Sequence, residues 1–443
     1  MKALLLTQEF PPRISGGIAA YYYHLCRELA GEIAVLTPGD GEDEAFDNAQ
    51  SFAIHRVTMP VQPTSFMQAS RWAFLRLPYI AFIALAQYLL FAYHSWQRLR
   101  QDQAGLLLVG HLYLAPMGRL LAVLLKRRYT VLLHGGELNR YWHLKPVRVL
   151  MRWGMDGADF LIVNSRHTQN QVRQRAVRAD MPIHIIHPGV DTTRFTPRPS
   201  IEGGPTSPLE SRGIKAGPTS PLESGGIEGV PTSPLESRGI EGGPTSPLEL
   251  GGIEGGPHRG PILLSVARLV EWKGQDVVLQ ALPRIREAFP TVYYVIVGKG
   301  PYQEALQELS QRLGVEEAVI FAGFVPDEQL PLYYAAADVV VLPSREIRPG
   351  VPVEGFGITL MEAAASGKPV VAGNVGGTDD AVVDGVTGLL VDPNDVEAVA
   401  DAILALLNDP AKAAQMGAAG RERAVADFTW AMQAERFLWL EKK

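Results

Sequence analysis

One cysteine, Cys26, occurs in 443 residues. A lone cysteine excludes an intrachain disulfide and fits a reducing, cytoplasmic compartment. On a helix its plain role is that of a small buried residue, not a nucleophile. Positive charge is not in excess: 41 Lys and Arg stand against 47 Asp and Glu, a formal net charge of −6. Bulk electrostatics therefore draw no nucleic acid to this chain. The opening MKALLLTQEFPP carries an apolar run too short for a signal peptide. No Asp-x-Asp pair of the metal-carrying kind stands out. Charge is missing altogether from Leu77 to Tyr93, LPYIAFIALAQYLLFAY, where Gln87 is the only polar side chain beyond the tyrosine hydroxyls. Roughly 20 apolar residues are needed to cross a bilayer, and this run falls between strands of a domain, which argues against spanning. It fits a helix packed on a sheet or one docked on a membrane face, flanked by Arg71, Arg76, Arg98 and Arg100.

The length suits two or three domains with sizeable cores. Short apolar runs alternate with helical stretches in both halves. The strand-like runs of the first half are Lys2 to Thr7, Ile33 to Thr37, Phe52 to Thr58, Leu106 to Gly110, Tyr129 to Leu133, Asp159 to Asn164 and His184 to Ile186. Those of the second half are Pro261 to Ala267, Val292 to Gly298, Val319 to Ala322, Ala337 to Leu342, Pro369 to Ala372 and Gly388 to Val391. This alternation predicts two doubly wound α/β domains, 1–195 and 261–428, followed by a helical segment over 429–443. Between the domains, 196–260 holds four 13-residue repeats from Ile201 to Gly252, beginning IEGGPTSPLESRG, and a fifth that begins at Ile253 and breaks off at Pro257-His258. Each repeat offers too little apolar surface to offset chain entropy, so the tract reads as a disordered, partly polyproline-II linker.

Candidate site residues fall where strands end, the usual place for ligands in open α/β sheets. The stretch PSREIRPGVPVEGFGITLMEA follows one strand and carries Glu354 and Glu362, with Gly355, Phe356, Gly357 and Ile358 between them. Glu354 is expected in a loop and Glu362 on the next helix. The N–H groups of Phe356, Gly357 and Ile358 would open that helix toward an anion. Gly16 and Gly17 lie in a strand–loop–helix arrangement that suits either a tight turn or a phosphate loop. Arg268 and Lys273 follow another strand: a planar fork and a mobile point charge suit a diphosphate, although two solvated loop cations would look the same. His134 ends a strand just before Gly135 and Gly136, where it can be structural or can face a ligand.

The passage VEGFGITLMEAAASGKPVVAGNVGGTDDAVVDGVTGLLV resembles the E-x7-E signature of family 4 glycosyltransferases, retaining enzymes of GT-B fold. HGGEL, HPGVDTTRF and the first-loop glycines extend the likeness over both ends of the chain. SREIRPGVPVEGFGI is most similar to the phosphatidylinositol mannosyltransferase branch. The resemblance implies transfer of a hexose from a nucleotide-diphospho-sugar, GDP-mannose or a UDP-hexose, to a hydroxyl of a glycan or lipid-linked acceptor. It places Gly16 and Gly17 near the donor diphosphate and the acceptor. Arg268 and Lys273 would neutralise the leaving nucleotide, Glu354 would orient the sugar, Glu362 the ribose, and His134 would serve the active-site loop. The turn holding Val325 would meet the base, largely through backbone atoms. The 429–443 helix would cross back to the first domain. No permanently bound cofactor and no metal are expected, since GT-B enzymes usually need none. A same-fold sugar-nucleotide epimerase and a non-catalytic sugar-nucleotide-binding scaffold are the alternatives.

Overall fold

The computed structural model describes residues 3–12, 16–39, 43–59, 77–102, 104–142, 144–175, 177–197, 260–347 and 353–441. Its strands divide into two parallel sheets. The first contains β1 (Ala3–Leu6), β2 (Ile33–Gly39), β3 (Ala53–Thr58), β4 (Leu106–Val109), β5 (Arg128–Leu133), β6 (Phe160–Val163) and β7 (Ile183–Ile185), in spatial order β3-β2-β1-β4-β5-β6-β7. The second contains β8 (Ile262–Val266), β9 (Tyr293–Val297), β10 (Val319–Gly323), β11 (Val339–Leu342), β12 (Val370–Gly373) and β13 (Gly388–Val391), in order β10-β9-β8-β11-β12-β13. Parallel strands covered on both faces become nearly continuous apolar runs, and their side chains alternate between two cores. Leu4 and Leu6 face one core of the first lobe, while Ala3 and Leu5 face the other. Val340 and Leu342 do the same against Val339 and Val341 in the second lobe.

The helices of the first lobe are α1 (Gly17–Glu28), α2 (Glu44–Asn48), α3 (Leu77–Gln101), α4 (Ala115–Leu125), α5 (Gly136–Tyr141), α6 (Lys145–Asp156) and α7 (Arg166–Gln174). The second half contributes α8 (Gln275–Ala288), α9 (Gln303–Arg312), α10 (Leu330–Ala336), α11 (Ile358–Ala365), α12 (Thr378–Ala381), α13 (Val396–Asn408), α14 (Pro410–Asp427) and α15 (Trp430–Glu441). The apolar run from Leu77 lies in α3. One stripe of α3, with Phe91, Ser95 and Leu99, is buried on the sheet, and another is exposed at Phe82, Leu85, Leu89 and Tyr93. Among the described residues no helix is long and apolar enough to cross a membrane.

The chain passes between the lobes twice, side by side. Val190 N–H donates to Phe428 O at 2.7 Å, and Val190 pairs with Thr429 as a parallel bridge. Trp430, Ala434, Phe437 and Leu440 of α15 then join the core of the first lobe, against α1. The outward passage precedes the repeats. Ile186 still belongs to the first lobe, but Val190 and Phe195 are buried in the second with Ile262 and Tyr334. Phe195 meets Tyr334 edge to face at 5.5 Å, and Arg421 donates to Phe195 O. The stretch expected to link the lobes, 196–260, is thus entered from the second lobe and left into it. The repeats themselves, Ile201 to Gly252, lie outside the described residues.

Candidate active site

At the end of β11 the chain brings two distant residues together. Lys273 Nζ lies 2.6 Å from Glu354 Oε2, with the two side chains only 13% and 11% exposed. Ser344 Oγ donates to the same carboxylate oxygen at 3.4 Å. The turn after Lys273 needs glycine: Gly274 has φ +76°, and a Cβ there would lie 2.0 Å from Pro343 O. Lys273 Nζ also stands 4.5 Å from the centre of the Trp272 ring. Arg345 ties the two loops beneath this pair. Its N–H donates to Trp272 O at 2.8 Å, and Nη2 meets Asp276 Oδ2 at 2.6 Å. Arg268 is exposed on the same loop as Lys273.

Glu362 follows on the first turns of α11. Its Oε2 accepts from Tyr334 Oη at 2.7 Å. Burial pushes its carboxyl up to about 7, against the downward pull of the Tyr334 hydroxyl and the Arg194 charge. Gly357 caps α11 at φ +97°, and the first N–H groups of such a helix have no partner within it. The Phe356 ring is not available to a ligand: it is 2% exposed and stacks on His187 at 5.1 Å. Val325 likewise packs its side chain into the second core.

On the facing lobe, Gly16 caps α1 and Gly17 begins it. His134 ends β5 with its ring buried edge-on to Tyr21 and Tyr22, at 5.2 and 5.3 Å. Its Nε2 lies 2.7 Å from Tyr22 Oη, and Tyr22 spends its one proton on Gly110 O. His134 Nε2 must therefore carry the hydrogen and donate it. Burial, with His111 adding repulsion, pushes the ring down to about 3, so it stays neutral. His111 continues the network, meeting Thr7 Oγ1 at 3.1 Å and Glu137 Oε1 at 3.3 Å.

The two halves of the site touch. A Cβ on Gly355 would lie 2.7 Å from His134 O and 2.9 Å from Asn164 Nδ2, so only glycine allows this approach. A Cβ on Gly17 would sit 3.6 Å from Ile358 Cδ1. Nearby, the Arg166 backbone N–H and guanidinium both donate to Asp380 across the lobes. Gly17, His134, Lys273, Glu354, Gly355 and Ile358 thus converge, with the His134 carbonyl, not its ring, facing the other lobe. Glu362 stands one layer further into the second lobe, beside Tyr334. Among the described residues no group of three or more His, Cys, Asp or Glu side chains is placed to hold a metal.

This arrangement has counterparts. The family model described as Glycosyltransferase Family 4 matches residues 15–194, and that described as Glycosyl transferases group 1 matches residues 252–423. A GDP-mannose-dependent alpha-(1-6)-phosphatidylinositol monomannoside mannosyltransferase of Mycolicibacterium smegmatis is 32% identical over 437 residues, 98% of this chain and 96% of its own length. The chain belongs to glycosyltransferase family 4. The protein of the same description from Mycobacterium tuberculosis is 33% identical over 435 residues, 97% of this chain and 95% of its own. This family 4 enzyme has the GT-B fold. Anabaena HepE in complex with UDP superposes with a TM-score of 0.71 at 20% identity, over 100% of both chains. Sucrose-phosphate synthase of Thermosynechococcus elongatus gives 0.69 at 22%, over 100% of this chain and 98% of that one. The glycosyltransferase moves a hexose from a nucleotide sugar to a hydroxyl.

Sequence reasoning did not single out Tyr22, His111, Asp276, Arg345 or the Arg166–Asp380 contact. Arg345 stood in the quoted PSREIRPG stretch, and a cation just past a strand end was the available signal. Nothing in the triple Tyr21-Tyr22-Tyr23 marks the middle ring as the partner of a histidine 112 positions away.

Proposed function

We propose that this glycosyltransferase moves mannose from GDP-mannose to a hydroxyl of an inositol-phospholipid glycan, on the cytoplasmic side of a membrane. One observation carries the reading: the Lys273–Glu354 pair, the α11 start and the His134 carbonyl come together where the two lobes touch. The full-length relatives suggest the sugar and the acceptor. The first lobe is the acceptor side and the second the donor side.

The donor diphosphate lies on the N–H groups of Gly357 and Ile358, near Gly16 and Gly17, with Arg268 and Lys273 as countercharges. Lys273 then exchanges its carboxylate partner for phosphate oxygen. Glu354, released, accepts hydroxyls of the sugar and offsets positive charge developing at its anomeric carbon. The neutral His134 supplies its carbonyl to the same charge. Glu362 accepts a ribose hydroxyl, and the backbone at Val325 borders the base. As the anomeric C–O bond to phosphate breaks, the acceptor oxygen bonds to that carbon on the same face. The departing phosphate takes the acceptor proton.

Purified enzyme assayed for nucleotide release and lipid mannosylation tests this. GDP-mannose with a phosphatidylinositol-mannoside acceptor should exceed UDP-glucose in kcat/KM by about 10-fold or more, equivalent to ~1.4 kcal/mol of transition-state discrimination. Preference for a UDP-hexose overturns the choice of donor. Donor binding with no release or transfer from any donor favours the scaffold alternative.

A further inference from the structure

Each sheet reverses its strand order once. In the first lobe β1 and β4 are neighbours, with β2 and β3 beyond β1 and with β5, β6 and β7 beyond β4. The helix after β1, α1, packs in one core, and the helix after β4, α4, packs in the other. The second lobe repeats this plan at β8 and β11, which are followed by α8 and α11 in opposite cores. Where connections diverge in this way, a crevice opens beyond the strand ends, and doubly wound sheets bind ligands there. The ends of β8 and β11 bring together Lys273, Ser344 and Glu354. The ends of β1 and β4 carry a polar cluster of their own. Thr7 and Glu9 follow β1, His111 follows β4, and Glu137 stands beside them in the first turn of α5.

His111 holds one half of the Glu137 carboxylate. The imidazole is pinned between Thr7 Oγ1 at 3.1 Å and Glu137 Oε1 at 3.3 Å, and its ring stacks on Tyr113 at 5.2 Å. An ionised carboxylate only accepts, so His111 Nδ1 carries the hydrogen between them. The other oxygen, Oε2, is buried and has no hydrogen-bond partner among the described residues, on a side chain only 10% exposed. Buried acceptors are ordinarily paired, charged ones above all. Charge narrows what this oxygen can take. Burial, then the Glu137 charge, with Glu9 adding to it, holds the Tyr22 hydroxyl well above the usual phenol range, so two carboxylates bear on this crevice. They repel a phosphate but accept readily from the hydroxyls of a sugar or cyclitol. Tyr22 accepts from His134 Nε2, which puts the cluster one ring away from the residue whose carbonyl faces the donor lobe. We propose that Glu137, held by His111, is an acceptor-recognition residue whose Oε2 takes a hydroxyl of the polyol that receives the sugar. The assignment rests on the first lobe being the acceptor side and names the group that grips the acceptor there.

The test uses the full-length enzyme with GDP-mannose and a phosphatidylinositol mannoside in detergent micelles, and with methyl α-mannoside and myo-inositol as soluble acceptors. Nucleotide release gives kcat and the KM of each substrate, and calorimetry gives the affinity for GDP. Glu137→Gln keeps the shape of the side chain and should raise the acceptor KM about ten-fold or more, the loss of a charge-assisted hydrogen bond. Glu137→Ala should act in the same direction. The donor KM and the GDP affinity should stay within about two-fold of wild type, a split that a general loosening of the fold would not produce. A monodeoxy acceptor lacking the contacted hydroxyl should be as poor for the wild type as the parent is for Glu137→Gln, and indifferent to the substitution. An unchanged acceptor KM in both variants, or a fall in GDP affinity that matches the rise in acceptor KM, overturns the inference. So does an equal sensitivity to the substitution in every monodeoxy analogue. If a soluble acceptor stimulates release and the phosphatidylinositol mannoside does not, the proposed substrates fail and Glu137 is judged on that acceptor's KM. Stimulation by none of the three overturns both readings.

Discussion

The Lys273–Glu354 pair can be a structural clamp or a donor-responsive switch, and a double-mutant cycle separates the two. Both side chains are nearly buried, 2.6 Å apart. Removing one partner of a buried pair leaves an uncompensated charge, which costs about 3–5 kcal/mol when burial is complete. With a little over a tenth of each side chain exposed, Lys273→Met should cost about 2–3 kcal/mol. Glu354→Gln keeps an acceptor for the ammonium and should cost about 1 kcal/mol, the difference between a charge-assisted and a neutral hydrogen bond. With both charges gone, the double variant should recover most of the stability lost in Lys273→Met. Activity should behave oppositely. Glu354→Gln should lower kcat about 10²-fold, or ~2.7 kcal/mol of transition-state stabilisation, and the double variant should be at least as slow. Urea unfolding and steady-state nucleotide release on the same four proteins provide both readings. If the double variant regains kcat within a few-fold of wild type along with its stability, the pair is a clamp and Glu354 has no role in orienting the sugar.

Glu362 should show itself through pH. Its carboxyl titrates near 7 in the free protein, and only the charged form is a strong acceptor for a ribose hydroxyl. Between pH 6 and 8 the charged fraction rises about ten-fold, so the donor KM should fall by a similar factor over that range; Glu362→Gln should raise KM and flatten the profile, and an unchanged slope would remove Glu362 from the ribose site. Gly355→Ala inserts a methyl group 2.7 Å from His134 O. It should hold the lobes apart and cut kcat/KM at least about 10²-fold while thermal unfolding of the second lobe shifts little; near-normal turnover would mean that the lobes need not close at this contact.

Much of the fold was legible because parallel strands buried on both faces leave unbroken apolar runs. Runs such as LLLV, FLIV and VVVL needed no tertiary knowledge to read. Helices α5 and α6 were not anticipated. Gly135 and Gly136 read as a loop after a strand, and Pro146 sits in the first turn of α6, where proline is tolerated. The spacing of Val147, Met151 and Met155 carried the missing helical signal. In the site, strand-end logic brought Lys273 and Glu354 to one sheet edge but could not pair residues 81 positions apart. The neutral state of His134 was illegible for a related reason, since burial and the distant His111 impose it. The exposed apolar stripes of α4 and α6 were hidden by their shortness, because no single run there matches the length of the one in α3.

The place where the repeats enter and leave the chain bears on how this gene can change. Phe195 and Ile262 are both seated in the second lobe, so a gain or loss of whole 13-residue units alters one lobe's loop length and not the span between lobes. Loop-closure entropy grows only logarithmically, about 0.6 kcal/mol for each doubling. In-frame duplication by replication slippage would therefore meet little selection from folding or from closure of the cleft. A change in copy number is expected to leave turnover and the stability of both lobes nearly unchanged.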